Sequence, residues 1–140
     1  MQISQSAQFI AAPPPTVWER LIDAPGWKSW NPGLAWVALD DRLVPGRYVT
    51  VKPATSRQTA LRIVTIDAPH CFACEVSVGP LARLRFSWRL VSDGAGTMVR
   101  HEVDLTGPLP GLLRKSAQRV AAQIPAHLAR LAATCTGATP

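Results

Sequence analysis

The chain is expected to be α+β: a seven-stranded antiparallel sheet wrapped around one long C-terminal helix, with an apolar pocket between them. Three observations predict this. Seven short segments of strand character fill most of the first 106 residues. The links between successive segments are mostly short, which favours antiparallel neighbours in a meander. After residue 110 the apolar residues switch to helical spacing.

Residues 2–10 read as the first strand, and the proline run Pro13-Pro14-Pro15 ends it. Residues before proline avoid the α region, whereas proline suits a first helical turn. A short helix therefore begins near Pro14 or Pro15, with Val17, Trp18, Leu21 and Ile22 as its apolar stripe. The stretch Asp23-Ala24-Pro25-Gly26 stops it, and residues 27–33 form a turn-rich link carrying Trp27 and Trp30. Further strands are expected over residues 34–40, 47–52, 58–67, 71–78, 82–91 and 97–106. Asp93-Gly94-Ala95-Gly96 is a hairpin loop. A long helix fits residues 110–133, with Leu113, Ala117, Val120, Ile124, Leu128 and Leu131 at three- and four-residue steps. Pro125 lies inside that pattern and predicts a bend, because it lacks an amide hydrogen and crowds the carbonyl of Ala121. One domain over residues 1–135 is expected, followed by a frayed tail over 136–140.

Alternation identifies the faces of the sheet. Leu84, Phe86, Trp88 and Leu90 point one way, and Arg83, Arg85, Ser87 and Arg89 the other. In the last strand Arg100, Glu102 and Asp104 share the polar face, so arginines should meet Glu102 and Asp104 across the ladder. Val99, His101, Val103 and Leu105 share the apolar face. His101 is then either a core histidine satisfied by one hydrogen bond or a pocket histidine that orients a ligand or moves a proton.

Composition narrows the function classes. Hydrophobic residues make up 47% of the 140-residue chain, enough for one real core. No apolar run approaches the ~20 residues of a membrane span, so no integral membrane segment is expected. The N-terminal residues lack the pattern of a secretory leader, which makes the cytoplasm the expected location. The net charge of +6 comes mainly from arginines scattered through the chain. They form no basic run interleaved with aromatics, so they are read as a solvated face and no nucleic-acid partner is expected. Cys71 and Cys74 make a CxxC, but positions three apart on a strand face opposite ways. They are read as packing, with no metal and no cofactor.

Several motifs occur in a characteristic order: AxPPxxVWxxLxD over residues 11–23, WNPG over 30–33, Pro45-Gly46 before a strand, GxGTMV over 94–99, then the terminal helix. Together they resemble the polyketide cyclase/dehydrase branch of the START-like (SRPBCC, birch-pollen-allergen-like) superfamily, over nearly the whole chain. The resemblance implies a helix-grip fold, with two short helices after the first strand and a C-terminal helix gripped by the sheet. It also implies a hydrophobic small-molecule ligand, of lipid, polyketide or aromatic type.

The leading functional expectation is binding or carriage of an apolar small molecule in the pocket. Its expected walls are Trp30, Trp36, Phe72, Phe86, Trp88, Val99 and His101 on the sheet side. Leu113, Ala117, Val120, Ile124 and Leu128 are expected on the helix side, where the alanines leave space. The alternative is a cyclase- or dehydratase-type enzyme with His101 as general acid or base and Tyr48, the sole tyrosine, as a hydroxyl donor. A third class is a protein-interaction module, whose mark would be an apolar patch on the outer face of the sheet. Either a monomer or a homodimer is compatible with the sequence.

Overall fold

The computed structural model of the chain describes residues 1–39, 42–78, 80, 82–107 and 113–136. Seven antiparallel strands form one sheet: β1 (Gln2–Ile10), β2 (Leu34–Leu39), β3 (Tyr48–Pro53), β4 (Thr59–Asp67), β5 (Cys71–Val78), β6 (Ala82–Asp93) and β7 (Gly96–Thr106). Their order is β1-β7-β6-β5-β4-β3-β2. Strands β2 to β7 therefore run as a meander, and β1 closes the far side against β7. Asp40 and Asp41, Gly79, Leu81, the start of the expected long helix and the tail beyond Thr136 lie outside the described residues.

The first helix, α1 (Pro14–Leu21), begins as its prolines dictate. Pro13 is extended at φ −68° and ψ 155°, and prolines occupy the first turn, where their missing amide hydrogens cost nothing. Its buried face is Val17, Trp18 and Leu21. The expected turn-rich link is more regular than its composition suggests, because Ala24–Ser29 forms a 3-10 helix that buries Ala24 and Trp27. The two short helices implied by the family resemblance are thus both present.

The C-terminal helix is interrupted rather than bent. It consists of α2 (Arg114–Ala121) and α3 (Ile124–Thr136), joined through Ala122 and Gln123. The Ala122 amide donates to the Gln118 carbonyl at 3.0 Å and that of Gln123 to Val120 at 3.3 Å, which tightens the last turn of α2. The chain then restarts so that Pro125 is the second residue of α3, a first-turn position that needs no amide hydrogen. Thr136, expected in the frayed tail, is the last residue of α3, and its hydroxyl donates to the Ala132 carbonyl at 3.0 Å.

The core lies between the concave face of the sheet and the helices. Val49, Ile63, Phe72, Val99, Val103 and Leu105 from the sheet are fully buried, as are Val17 and Leu21 of α1 and Leu128 and Leu131 of α3. At the turn of the β6–β7 hairpin Asp93 pairs with Gly96, and Gly94 supplies the positive φ of 61° that a two-residue link requires.

The outer face carries the arginines, but their pairing differs from expectation. Register places Arg85 opposite Asp104, Ser87 opposite Glu102, and Arg89 opposite Arg100. Arg85 thus faces Asp104 across the ladder as expected, but the ion pairs found among the described residues run from Arg62 and Arg85 to Glu75 of β5. Arg62 donates to one carboxylate oxygen at 3.4 Å and Arg85 to the other at 3.2 Å. Glu75 sits directly between those two arginines in the ladder and is nearly buried beneath them.

Candidate functional site

An unbroken series of aromatic rings crosses the concave side. Trp30 meets Trp27 with ring centroids 6.4 Å apart, Trp27 meets Phe72 at 6.2 Å, and Phe72 meets Trp88 at 5.3 Å. Trp88 then contacts His101 at 4.3 Å and Phe86 at 6.4 Å, and the Phe86 ring stands edge-on to His101. The strands explain this placement. Phe72, Trp88 and His101 are direct cross-strand partners on β5, β6 and β7, so one row of the ladder presents three rings inward. The 3-10 helix adds Trp27, and the residue just past its end adds Trp30, at one end of the row.

These rings are not chemically equal. Trp27 donates its indole N–H to the Leu21 carbonyl at 2.8 Å, which fixes the 3-10 helix on α1. Among the described residues, four buried side-chain atoms have no hydrogen-bond partner: Trp30 Nε1, Trp88 Nε1, His101 Nδ1 and Ser4 Oγ. Leaving one such group unpaired costs about 1–3 kcal/mol. Four together would consume a large part of the ~5–15 kcal/mol by which a domain is stable. Ser4 shares the concave side with the histidine: it lies opposite Val103 on β1, and the next inward serine, Ser6, lies opposite His101.

Burial pushes the His101 pKa from 6.5 down to about 3; a backbone hydrogen bond with Glu102 opposes this, and the charge of His127 adds a smaller depression. The imidazole is therefore neutral at neutral pH, with one donor and one acceptor nitrogen. His127 of α3 is itself lowered, first by burial and then by Arg130. This second histidine was missed by the helical periodicity, although its position three residues after Ile124 and four before Leu131 was a usable signal.

Most of the expected wall is gathered on the concave side. Trp30, Phe72, Trp88, Val99 and His101 are buried there, and Phe86 is partly buried beside them. Ala117, Ile124 and Leu128 are buried on the helices, and Leu113 packs against the core. Three expected residues are elsewhere. Trp36 is 40% exposed, because Val37 and Leu39 take the inward positions of β2 opposite Val51 and Val49. Tyr48 is 51% exposed opposite Arg62, since its neighbour Val49 points inward, and this removes the expected pocket hydroxyl. Val120 is 46% exposed, because α2 buries Ala117 and Ala121 and the break before Ile124 resets the phase.

Cys74 is buried on the concave side, and burial raises its thiol to about 12, whereas Cys71 is half-exposed on the outer face. The expected separation of the two thiols by strand parity is thus observed. Two surface depressions lie on the outer face. One of about 270 Å³ borders Cys71, Ser87, Arg89 and Arg100, and one of about 680 Å³ borders Tyr48, Arg62, Glu75 and Arg83.

The family description "Polyketide cyclase / dehydrase and lipid transport" matches residues 1–136. The chain belongs to this family. Solved structures share its fold at low identity. A Mesorhizobium loti protein, MLL2253, superposes with a TM-score of 0.76 at 14% identity, covering 98% of each chain. Ara h 8.0201 gives 0.72 at 15% identity, covering 96% of this chain and 97% of its own. The di-domain ARO/CYC BexL, from the BE-7585A biosynthetic pathway, gives 0.72 at 18% identity over 91% of this chain and 44% of its own. A comparison with curated proteins finds no match. Among the described residues, no helix is long and apolar enough to cross a membrane.

Proposed function

We propose that this family member binds a hydrophobic small molecule between the concave face of the sheet and the α2–α3 pair, and that the molecule carries hydrogen-bonding oxygens. The observation behind this is the set of unpartnered polar atoms along an otherwise apolar, aromatic wall. Indole N–H groups donate only, so Trp30 and Trp88 call for acceptors on the ligand. Neutral His101 and Ser4 offer both donor and acceptor capacity. A purely hydrocarbon guest would leave every one of these groups unpaired, whereas an oxygenated ring system or a lipid with a polar head would satisfy them.

Binding is favoured over catalysis by the protonation state of His101. A general base works best with a pKa near the working pH, and a group near 3 is too weak to hold a proton at pH 7. With Tyr48 on the outer face, His101 is left to orient a ligand by hydrogen bonding. The membership of cyclases and dehydrases in the family keeps conversion as the second reading, with His127 the added imidazole near His101.

Native mass spectrometry of the protein as purified, followed by extraction and identification of what it carries, tests the proposal. An oxygenated hydrophobic molecule released unaltered supports carriage. Release of a converted product supports the enzyme reading. A purely hydrocarbon guest, or failure to bind any oxygenated hydrophobe in a panel, contradicts both.

A further inference from the structure

The outer face of the sheet breaks two rules in adjacent rows. In one row Arg89 of β6 lies directly opposite Arg100 of β7, a like-charge pair that a ladder normally avoids. Among the described residues neither guanidinium has an ion-pair partner, since the bridges run from Arg62 and Arg85 to Glu75. The depression of about 270 Å³ lies at this pair, with Ser87 and Glu102 also at its border.

The next row of the same face is apolar: Val91 opposite Met98, and Met98 opposite Phe9 of β1. Val91 is 48% exposed and Phe9 47%. Rows of one face are two residues apart, about 7 Å along the strands. Two departures from ordinary surface design thus lie side by side, as expected where a surface serves a function.

We propose that this double row is a docking surface for a protein partner presenting an extended segment with a carboxylate and an apolar side chain two residues apart on one face. The two guanidiniums would hold the carboxylate by charge-assisted hydrogen bonds, and the apolar side chain two residues on would cover Val91, Met98 and Phe9. The period of two in an extended segment matches the 7 Å between the rows.

Shape and charge favour this occupant. Phe9 does not project as a wedge. Its ring lies so close over Gly96 that a Cβ there would approach within 2.5 Å of the ring, so the apolar row is flat. A flat row suits a protein surface better than insertion into a bilayer. A second copy of this chain, docked on the same patch about a twofold axis parallel to the strands, would set arginines against arginines. The flat apolar row also encloses little of a free small molecule.

The test is an NMR titration of the full chain with a synthetic extended peptide that carries an acidic residue at position i and an apolar residue at i+2. A peptide with lysines in place of the acids, a single-stranded RNA oligomer and vesicles of mixed phosphatidylcholine and phosphatidylglycerol serve as competitors. The expected result is saturable shifts at Arg89, Val91, Met98 and Arg100 with the acidic peptide. Affinity should fall by about tenfold or more in Arg89→Gln/Arg100→Gln, and less in Val91→Thr, because charged anchors of this kind dominate small interfaces. All three positions are surface sites, so each variant should keep the amide spectrum of a folded chain. Lack of saturation at millimolar peptide, equal affinity in the double variant, or tighter binding of RNA or vesicles overturns the proposal.

Discussion

Strand β6 shows two kinds of surface along one backbone. Its inward side chains, Leu84, Phe86, Trp88 and Leu90, meet aromatic and aliphatic neighbours against the core. Its outward side chains, Arg83, Arg85 and Arg89, stand in water, and only Arg85 among them has an ion pair, shared with Glu75. On the inner face a polar atom without a partner is expensive, so Trp88 Nε1 and His101 Nδ1 carry information about function. On the outer face an unpaired charge is solvated and costs little. There only a departure such as the Arg89–Arg100 register is informative. The same alternation therefore sets different thresholds for meaning on the two faces.

The largest expected difference concerns core volume. Phe72→Ala removes a fully buried ring between Trp27 and Trp88 and should cost about 3–5 kcal/mol. Arg83→Ala on the outer face should stay within about 0.5 kcal/mol. Urea denaturation of the two variants measures both, and similar costs would erase the contrast between the faces.

A second difference is one of pH. Because the His101 pKa falls from 6.5 to about 3 on folding, the unfolded chain binds the extra proton between those values. Stability should therefore drop as the pH is lowered through that window. Between pH 7 and pH 4 this group alone accounts for about 3 kcal/mol, and His127 acts in the same direction. In unfolding measurements between pH 7 and pH 4 the native chain should therefore lose about 3 kcal/mol more stability than His101→Gln, whatever their difference at pH 7. Parallel pH profiles would show that His101 is not shielded from water.

A smaller effect is expected where the outer face behaves most like an interior. Glu75→Gln leaves Arg62 and Arg85 without their shared carboxylate and should cost about 1–2 kcal/mol, against less than ~1 kcal/mol for Arg62→Gln. The comparison is sharpened by repeating it at high salt, which should shrink the Arg62 effect more than the Glu75 effect.

Much of the fold was legible because strand period and turn chemistry agree in this sequence. The unbroken alternation over Arg83–Leu90 located β6, its inward face and, with the Gly94 turn, its partner β7. His101 was placed inward by parity alone. What escaped depended on tertiary choices. Trp36 and Tyr48 lie on strands where valine and leucine compete for the inward positions, and the valines won. Val120 fitted the helical stripe only if the helix were continuous, and Pro125 restarted it instead. Glu75 sits between Ala73 and Ser77 in sequence, with no sign that arginines on both flanking strands would converge on it. The unpartnered indole groups of Trp30 and Trp88 had no sequence signature at all, since Trp27, three residues from Trp30, is satisfied by Leu21.

The central claim is that the inner-face polar atoms are kept for a ligand. The double variant Trp88→Phe/His101→Leu tests it by removing two of them while keeping the volume nearly constant. Thermal unfolding of the ligand-free protein and native mass spectrometry should be run together on the variant and the native chain. The expected result is a ligand-free variant as stable as the native chain or more so, with the oxygenated guest lost. A variant that is clearly less stable yet retains the guest at full occupancy would contradict it.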